Sequence, residues 1–289
     1  MLLSSLVING LFTGLIYGLI AVGLTVIFGV MRIINMSHGD IVMLGMYSAW
    51  ILFEKFGVSP YVSMFLTAPL FFLLGSLIYE ILDPIPLKRR EMSSLIITLG
   101  ISFVLATSAM LIFTADYRTV TLPYSQRVID ILGTRLGYPA LISSAISLVL
   151  MCLFRLFLSR THIGRAIRAT AIDRTSAALL GVNVKRISQA TFGAGVVLAG
   201  LAGGVLAPIY YVYPFVGSNF IIKAFAVVVL GGMESVTGAI AGGLILGVAE
   251  ALGGAFLEHS LKDIIVFVLF LGVLFFRPTG LFGGRERNR

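Results

Sequence analysis

Long apolar runs alternate with short polar connectors along almost the whole of this chain. The runs cover about residues 6–30, 40–56, 60–82, 93–115, 138–158, 188–212, 220–254 and 262–276. Most of them approach or exceed the roughly 20 residues that a helix needs to cross a hydrocarbon core about 30 Å thick. Continuous runs also argue against spanning β-strands, which alternate apolar and polar positions. The pattern predicts an all-α polytopic membrane protein, and nothing in it suggests more than one transmembrane domain across residues 1–289.

The number of membrane segments depends on the run 220–254. This run is interrupted by the sequence GGMES at 231–235. A break there would leave two short helices, a broken or re-entrant arrangement that membranes tolerate where protein or water surrounds the backbone. A continuous helix gives eight membrane segments and a broken one gives nine, and the sequence leaves both open.

A second interruption separates the first two apolar runs at residues 32–40. Both interruptions combine glycine with a carboxylate near a predicted membrane boundary, and paired broken helices point to a possible internal repeat around a central pathway. A tight turn between antiparallel helices explains each break equally well. The candidate pathway residues at the two breaks are Asn35, His38, Gly39, Asp40, Gly231, Gly232 and Glu234.

Glycines recur at a spacing of four in the second half of the chain, as in Gly238/Gly242 and Gly243/Gly247. This spacing puts small residues on one helix face and lets two helix backbones approach closely. We therefore predict tight helix packing at these positions.

Composition agrees with a membrane protein. The chain is 58% hydrophobic and 12% charged, with a mean hydropathy of +1.03, whereas soluble domains carry about 25% charged residues. The net charge of +8 is gathered in short segments beside the apolar runs, which is the positive-inside pattern and not a basic face for nucleic acid. The one cysteine, Cys152, cannot form an intramolecular disulfide.

Three basic clusters set the predicted orientation. They lie at 88–90, at 160–186 and in the tail after 276. Placing all three in the cytoplasm puts the N-terminus and the connector 116–137 outside, and it requires an odd number of crossings after residue 212 for a cytoplasmic C-terminus. The segment at about 160–187 is the longest polar interruption, and its length suggests a folded cytoplasmic surface able to meet another protein.

A search for catalytic chemistry is largely negative. The sequence contains no G-x-x-x-x-G-K-[ST] loop, so we expect no ATP bound by that route. It contains no H-E-x-x-H or G-x-S-x-G motif, and His38, His162 and His259 lack metal-ligand spacing.

Carboxylates within the apolar runs are functional suspects, because a charge in the membrane is costly. They are Asp40, Glu80, Glu234 and Glu250. Helix capping is the favoured interpretation for Asp40 and Glu234, and Glu80 is expected at the inner membrane interface.

Several motifs together resemble those of LivH-type permeases, the membrane subunits of importers for branched-chain amino acids. The resemblance extends from about residue 14 to 280. Its motifs are GLIYGL at 14–19, INMSHGD at 34–40, GRAIRA at 164–169, ALLGVN at 178–183, AGLAG at 199–203 and VVLGGMES at 228–235.

The resemblance implies a permease of the bacterial inner membrane that works with partners. These are a second homologous permease subunit, two cytoplasmic ATPases that bind the ATP, and an extracytoplasmic solute-binding protein, with no cofactor bound by this chain. The cytoplasmic segment would then couple to an ATPase, and the coupling residues it implies are Gly164, Arg165, Arg168, Asp173, Gly181, Val182 and Arg186.

Two positions depart from the pattern of that family. It often has glutamate where this chain has Asp40, and a small residue where this chain has Glu234. Related permeases handle other amino acids, urea or short amides, so the substrate stays open. A self-contained ion-coupled transporter using Asp40, Glu234 or Glu250 is the alternative function, and an intramembrane enzyme is disfavoured because paired catalytic residues are lacking.

Overall fold

Helices dominate the computed structural model, which describes residues 2–131, 134–256, 262–277 and 279–282. His259 and the tail arginines Arg285, Arg287 and Arg289 lie outside the described residues. The helices are α1 (Leu2–Met31), α2 (His38–Phe56), α3 (Pro60–Leu82), α4 (Arg90–Phe113), α5 (Tyr138–Arg160), α6 (His162–Ile172), α7 (Arg174–Leu179), α8 (Val184–Leu206), α9 (Val216–Gly231), α10 (Val236–Phe256) and α11 (Lys262–Phe276).

Within these described ranges, six helices are long and apolar enough to cross a membrane. They are α1, α3, α4, α5, α8 and α10, while α9 and α11 are shorter apolar helices. In an apolar stretch of 18 residues within each helix, 78% of the residues of α8 are buried and 17% of those of α4. Helix α8 therefore lies at the centre of the bundle, and α4 lies at its periphery with most of its apolar surface available to lipid.

The connector between α4 and α5 contains an unpredicted hairpin. Strand β1 (Val128–Ile131) pairs antiparallel with β2 (Thr134–Gly137), and Val128 lies opposite Gly137. The all-helical expectation therefore holds for the apolar runs and fails in this connector.

Helix α8 ends earlier than the apolar run predicts. The run continues to residue 212, but the helix ends at Leu206. Pro208 follows two residues later and has no N–H to donate to a helical carbonyl oxygen, so the helix cannot continue past Ala207, whose backbone is still helical. The segment 207–215 is therefore a connector, and its Val212 forms an isolated β-bridge with Arg118.

Both predicted interruptions are present. Helix α1 ends at Met31, and Arg32 follows with φ +52° before α2 begins. Helix α9 ends at Gly231, and Gly232 has φ +101°, a value that strongly favours glycine. The run 220–254 is thus two helices with a turn between them.

Glycines bring α1 and α10 into antiparallel backbone contact. A Cβ placed on Gly10 would lie 2.7 Å from the Gly247 carbonyl oxygen, and one placed on Gly243 would lie 2.6 Å from the Gly14 carbonyl oxygen. Such distances leave no room for a side chain, so the spacing of four does mark a packing face. The predicted tight packing at Gly243 and Gly247 is confirmed.

Candidate coupling segment and membrane-embedded ion pair

Helix α6 is fixed to the end of α5 by a cap and a close contact. The Thr161 hydroxyl accepts a hydrogen bond from the Gly164 amide at 3.0 Å, which satisfies one free N–H of the first turn. Gly164 itself is buried, and a Cβ there would lie 2.6 Å from the Leu158 Cα atom. Ile167 and Thr170 are buried on the same helix, so one face of α6 packs on the bundle and the other faces outward.

The arginines of α6 lie on its outer face. Arg165 and Arg168 are exposed. The Arg165 guanidinium lies 3.1 Å from Nδ1 of His162, and Arg168 donates to the Ser159 carbonyl oxygen at 3.4 Å. Both positive charges therefore remain at the surface.

Asp173 caps the short helix α7. Its carboxylate accepts hydrogen bonds from the Thr175 amide at 2.9 Å and from the Ser176 hydroxyl. The hydrogen bonds from the Ser176 side chain and from the Ser176 and Thr175 backbone lower the pKa of Asp173 below its ordinary value of 3.8. Its carboxylate is engaged inside the segment, so its role here is to fix the turn between α6 and α7.

Replacing Asp173 with alanine is expected to accelerate hydrogen exchange at the Thr175 amide. Asp173→Asn retains one oxygen acceptor and should preserve more of the protection. Because the folded pKa is lowered, the contribution of the cap is complete above the ordinary value and is lost as the pH falls through the lowered value. Exchange measured at neutral pH tests this, and equal rates in the parent and the alanine variant would contradict it.

A left-handed residue turns the chain from α7 into α8. Gly181 has φ +85°, and the Val182 amide donates to the Ala177 carbonyl oxygen at 3.0 Å. Asn183 then caps α8, because its side-chain oxygen accepts from the Arg186 amide at 3.1 Å. Arg186 lies in the exposed first turn of α8.

Replacing Gly181 with alanine is expected to destabilise this turn by about 1 kcal/mol, because an L-residue is strained at positive φ. Open space surrounds the position, so the effect comes from the backbone and not from a clash. Gly181→Asn should be milder, since asparagine tolerates this conformation. Hydrogen exchange at the Val182 amide measures the turn, and an alanine variant as protected as the parent would refute the prediction.

Three apolar side chains project from this basic segment into open space. Ile172 is 87% exposed, and Leu179 and Leu180 are each 84% exposed. The positive-inside rule accounts for arginines in a cytoplasmic segment, but it gives no reason for exposed apolar side chains there. Apolar side chains grouped among charges are typical of a protein-docking surface. Sequence analysis missed them; the available signal was that Ile172 is five residues from the buried Ile167, off the helical spacing of three or four.

The predicted pathway residues around the first break are deeply buried. Asn35 and His38 are 0% exposed, and Asp40 is 6% exposed. The His38 Nε2 atom lies 3.0 Å from the Ile20 carbonyl oxygen and donates to it, and Asn35 accepts from the Ser37 hydroxyl at 2.7 Å. In this conformation the cluster braces the start of α2 against α1.

Gly39 brings the start of α2 against the start of α9. A Cβ on Gly39 would lie 2.9 Å from the Gly217 carbonyl carbon. The predicted residues of the first break are therefore adjacent to one another and also to the helix that ends at the second break.

The second break has a different environment. Gly231 lies against the backbone of Gly238, which closes the turn between α9 and α10. Glu234 is exposed and lies beside Gly29 near the end of α1. The cap of α10 is the Ser235 hydroxyl, which accepts from the Gly238 amide at 3.0 Å. The capping interpretation of Glu234 is therefore wrong, because its neighbour fills that position.

Asp40 also differs from the sequence-based expectation. It lies within the first turn of α2, where the N-cap position belongs to Ser37. Glu80, as expected, is partly exposed near the end of α3, and it lies 3.4 Å from the Lys185 ammonium at the start of α8.

The fourth suspect, Glu250, forms an ion pair that sequence analysis did not find. Its Oε1 atom lies 2.5 Å from the Nζ atom of Lys223, and the two side chains are only 11% and 14% exposed. Lys223 also donates to the Tyr17 hydroxyl at 2.9 Å, and its Nζ atom lies 5.0 Å from the centre of that ring. The signal was a single lysine within the apolar run 220–254, followed 27 residues later by the glutamate.

Comparison with known proteins gives matches over nearly the whole chain. Residues 6–274 match the family described as branched-chain amino acid transport system / permease component. The high-affinity branched-chain amino acid transport system permease protein LivH of Salmonella typhimurium is 33% identical over 96% of this chain and 94% of its own length. BraD of Pseudomonas aeruginosa, a permease protein of the same description, is 35% identical over 96% and 95%.

A solved structure is also similar. PsaBC from Streptococcus pneumoniae, in complex with Fab, aligns with a TM-score of 0.49 and 16% identity, over 94% of this chain and 91% of that chain.

Proposed function

The chain belongs to the family of branched-chain amino acid transport permeases, and from that membership we propose that it is the membrane subunit of an ATP-driven importer for branched-chain or related amino acids. Relatives named as permeases of such systems are matched over nearly their full length. This full-length match favours an importer subunit over a self-contained ion-coupled transporter. The chain is a transport component.

We further propose nine membrane segments, with α1 to α5 and α8 to α11 inserted and α6 and α7 in the cytoplasm. The break at 231–235 supports this count, because it divides the run 220–254 into α9 and α10. Three crossings after α8 return the C-terminus to the side that holds the basic clusters, which agrees with the positive-inside rule. The N-terminus is then outside the cell.

The coupling segment, residues 160–187, is proposed to dock on a cytoplasmic ATPase. The observation that carries this proposal is the exposure of Ile172, Leu179 and Leu180 on a rigidly capped turn. Burying such side chains in a groove of a partner contributes about 1.5–3 kcal/mol each. Arg165 and Arg168 on the same surface would add charge complementarity at the rim.

ATP is proposed to bind on two such partner subunits, one for each of two homologous permease subunits. Family membership supports this division of labour, and the sequence is compatible with it because it has no G-x-x-x-x-G-K-[ST] loop. Substrate would then reach the pair from an extracytoplasmic binding protein. The outer connectors offer that protein an ordered surface, since the Arg118–Val212 bridge joins 114–137 to 207–215 and Tyr117 packs on Tyr213.

The test is reconstitution of the complete complex in liposomes. The chain is co-expressed with candidate ATPases, a second permease and a binding protein from the same organism, and uptake of radiolabelled leucine, isoleucine and valine is measured with ATP on the ATPase side of the membrane. We expect uptake that requires ATP and the loaded binding protein. Uptake by the chain alone, driven by an ion gradient and indifferent to ATP, would overturn the proposal in favour of a secondary transporter.

A further inference from the structure

Polar residues follow one face of the outer half of α1. Ser5, Asn9, Thr13 and Tyr17 are each four residues apart, and a spacing of four keeps side chains on the same side of a helix. The Asn9 amide donates to the Ser5 carbonyl oxygen at 3.1 Å, and the Thr13 hydroxyl donates to the Asn9 carbonyl oxygen at 3.0 Å. Polar residues in a membrane helix tend to face protein or a water-filled cavity and not lipid.

The stripe ends at the Lys223–Glu250 pair. Tyr17, its last member, accepts the hydrogen bond from the Lys223 ammonium. Only one carboxylate oxygen of Glu250 is used: Oε1 faces Lys223, while Oε2 is buried without a hydrogen-bond partner among the described residues. A buried carboxylate oxygen with no donor is costly, so this atom is suited to a donor that arrives from outside the chain.

A cleft of about 320 Å³ opens beside these groups, within the range of about 300–1,000 Å³ typical of small-molecule sites. It combines the polar stripe and Glu250 with small and apolar walls from α10, and Lys223 is connected to it through its hydrogen bonds to Tyr17 and Glu250. The lining residues that matter for binding are Asn9, Thr13, Tyr17, Glu250, Ala251 and Gly254.

We propose that this cleft is a transit site for the zwitterionic head group of an α-amino acid. The inference rests on the proposed function and assigns the substrate class to particular residues. The Oε2 atom of Glu250 accepts the substrate ammonium, and the Tyr17 hydroxyl, which accepts a hydrogen bond from Lys223, donates to the substrate carboxylate. The aliphatic side chain lies against Ala251 and Gly254.

Charge balance favours this ligand over a simple ion. The pair is neutral overall, so a neutral zwitterion bound beside it leaves the net charge of the membrane interior unchanged. A simple cation or anion would leave one charge uncompensated, which is costly in a low-dielectric interior. The pair therefore matches a molecule that carries a positive and a negative group on one carbon atom.

Removing either charge tests the site in the complete liposome complex. The variants are Glu250→Gln and Lys223→Met, and Glu91→Gln serves as a carboxylate control because Glu91 is exposed in the first turn of α4. The readout is the number of leucine molecules imported per ATP hydrolysed. A binding protein sets the apparent affinity, so loss of a transit site lowers this ratio and leaves the KM for uptake nearly unchanged.

We expect Glu250→Gln and Lys223→Met to lower the ratio about tenfold, a loss of about 1.4 kcal/mol of interaction, and Glu91→Gln to leave it unchanged. A structural role would instead reduce complex yield, uptake and ATP hydrolysis together and keep the ratio constant. Assembled variants with the parental ratio would overturn the inference. If the parent complex itself imports no amino acid, the proposed function fails before the site is tested.

Two further variants cover the case in which the single replacements do not assemble. The exchange Lys223→Glu with Glu250→Lys restores an ion pair, and we expect it to restore assembly but not the ratio, since the ammonium and carboxylate partners have changed places. Thr13→Val keeps the shape of the side chain and leaves the ion pair untouched, and it should lower the ratio about threefold by removing one hydroxyl contact. A parental ratio in the exchange variant would show that the pair only holds helices together, and a parental ratio in Thr13→Val would overturn the placement of the substrate against the polar stripe.

Discussion

Replacing both Leu179 and Leu180 with aspartate is expected to weaken binding of the ATPases and to reduce substrate-stimulated ATP hydrolysis. The chain itself should remain folded. Each side chain is 84% exposed in the protomer, so the folded subunit loses almost no buried surface. In the assembled importer the same side chains would be buried against the ATPase, where each contributes about 1.5–3 kcal/mol. Losing both, and placing two charges in the groove, should weaken docking by more than about 100-fold.

The measurement is co-purification of the ATPases together with substrate-stimulated ATP hydrolysis. Leu87→Asp is the matched control, because Leu87 is 64% exposed in the connector before α4 and lies outside the coupling segment. The control should keep both activities. Normal ATPase recovery and normal stimulated hydrolysis in the double aspartate variant would show that the exposed leucines are not the docking surface.

Replacing Gly243 with alanine is expected to destabilise the protein by forcing α1 and α10 apart. A Cβ at this position would lie 2.6 Å from the Gly14 carbonyl oxygen and 2.7 Å from the Gly18 amide nitrogen. Both are backbone atoms, so no side-chain rotation relieves the overlap, and the two helices must move apart. Overpacking of this kind costs about 1–3 kcal/mol, and separating α1 from α10 loses further contacts along their length.

Gly100→Ala provides the comparison, because Gly100 lies within α4 with open space where a Cβ would be. Removing a glycine from a helix interior gains about 0.5–1 kcal/mol, so this variant should equal or exceed the parent. Thermal denaturation in detergent, followed by the fraction that remains monodisperse, measures both. Equal midpoints for the two variants would contradict the assigned packing of α1 on α10.

The apolar runs were sufficient to locate the membrane helices, because lipid imposes a minimum length and excludes charge. Helix α3 begins and ends at the predicted residues, 60 and 82. Details governed by single residues were harder to predict. Whether 220–254 breaks depends on the backbone of Gly232, and the end of α8 before Pro208 lies inside a run that stays apolar to 212.

The pairing of β1 with β2 was missed for a related reason. This pairing depends on a register between two short strands, in a connector whose composition resembles any polar loop. Hydropathy gives little information where water and protein are both available as partners.

The candidate sites show a sharper limit. Charge and resemblance predicted a coupling segment, which stays a prediction, and the exposure of Leu179 and Leu180 depends on where α6 and α7 pack against the bundle. Lys223 and Tyr17 are 206 residues apart, and only the packing of α9 on α1 brings them together. Long-range contacts of this kind leave no local pattern in a single sequence.

The glycine contact between α1 and α10 also constrains how the protein is made. Helix α1 leaves the ribosome first, but the residue that meets Gly14 is Gly243, whose codon is read late in translation. At roughly 5–20 residues per second, α1 waits about 10–50 s in the bilayer before its partner arrives. During that interval its glycine face is unpaired, so the nascent chain depends on the insertion machinery or on lipid to shield it until the bundle closes.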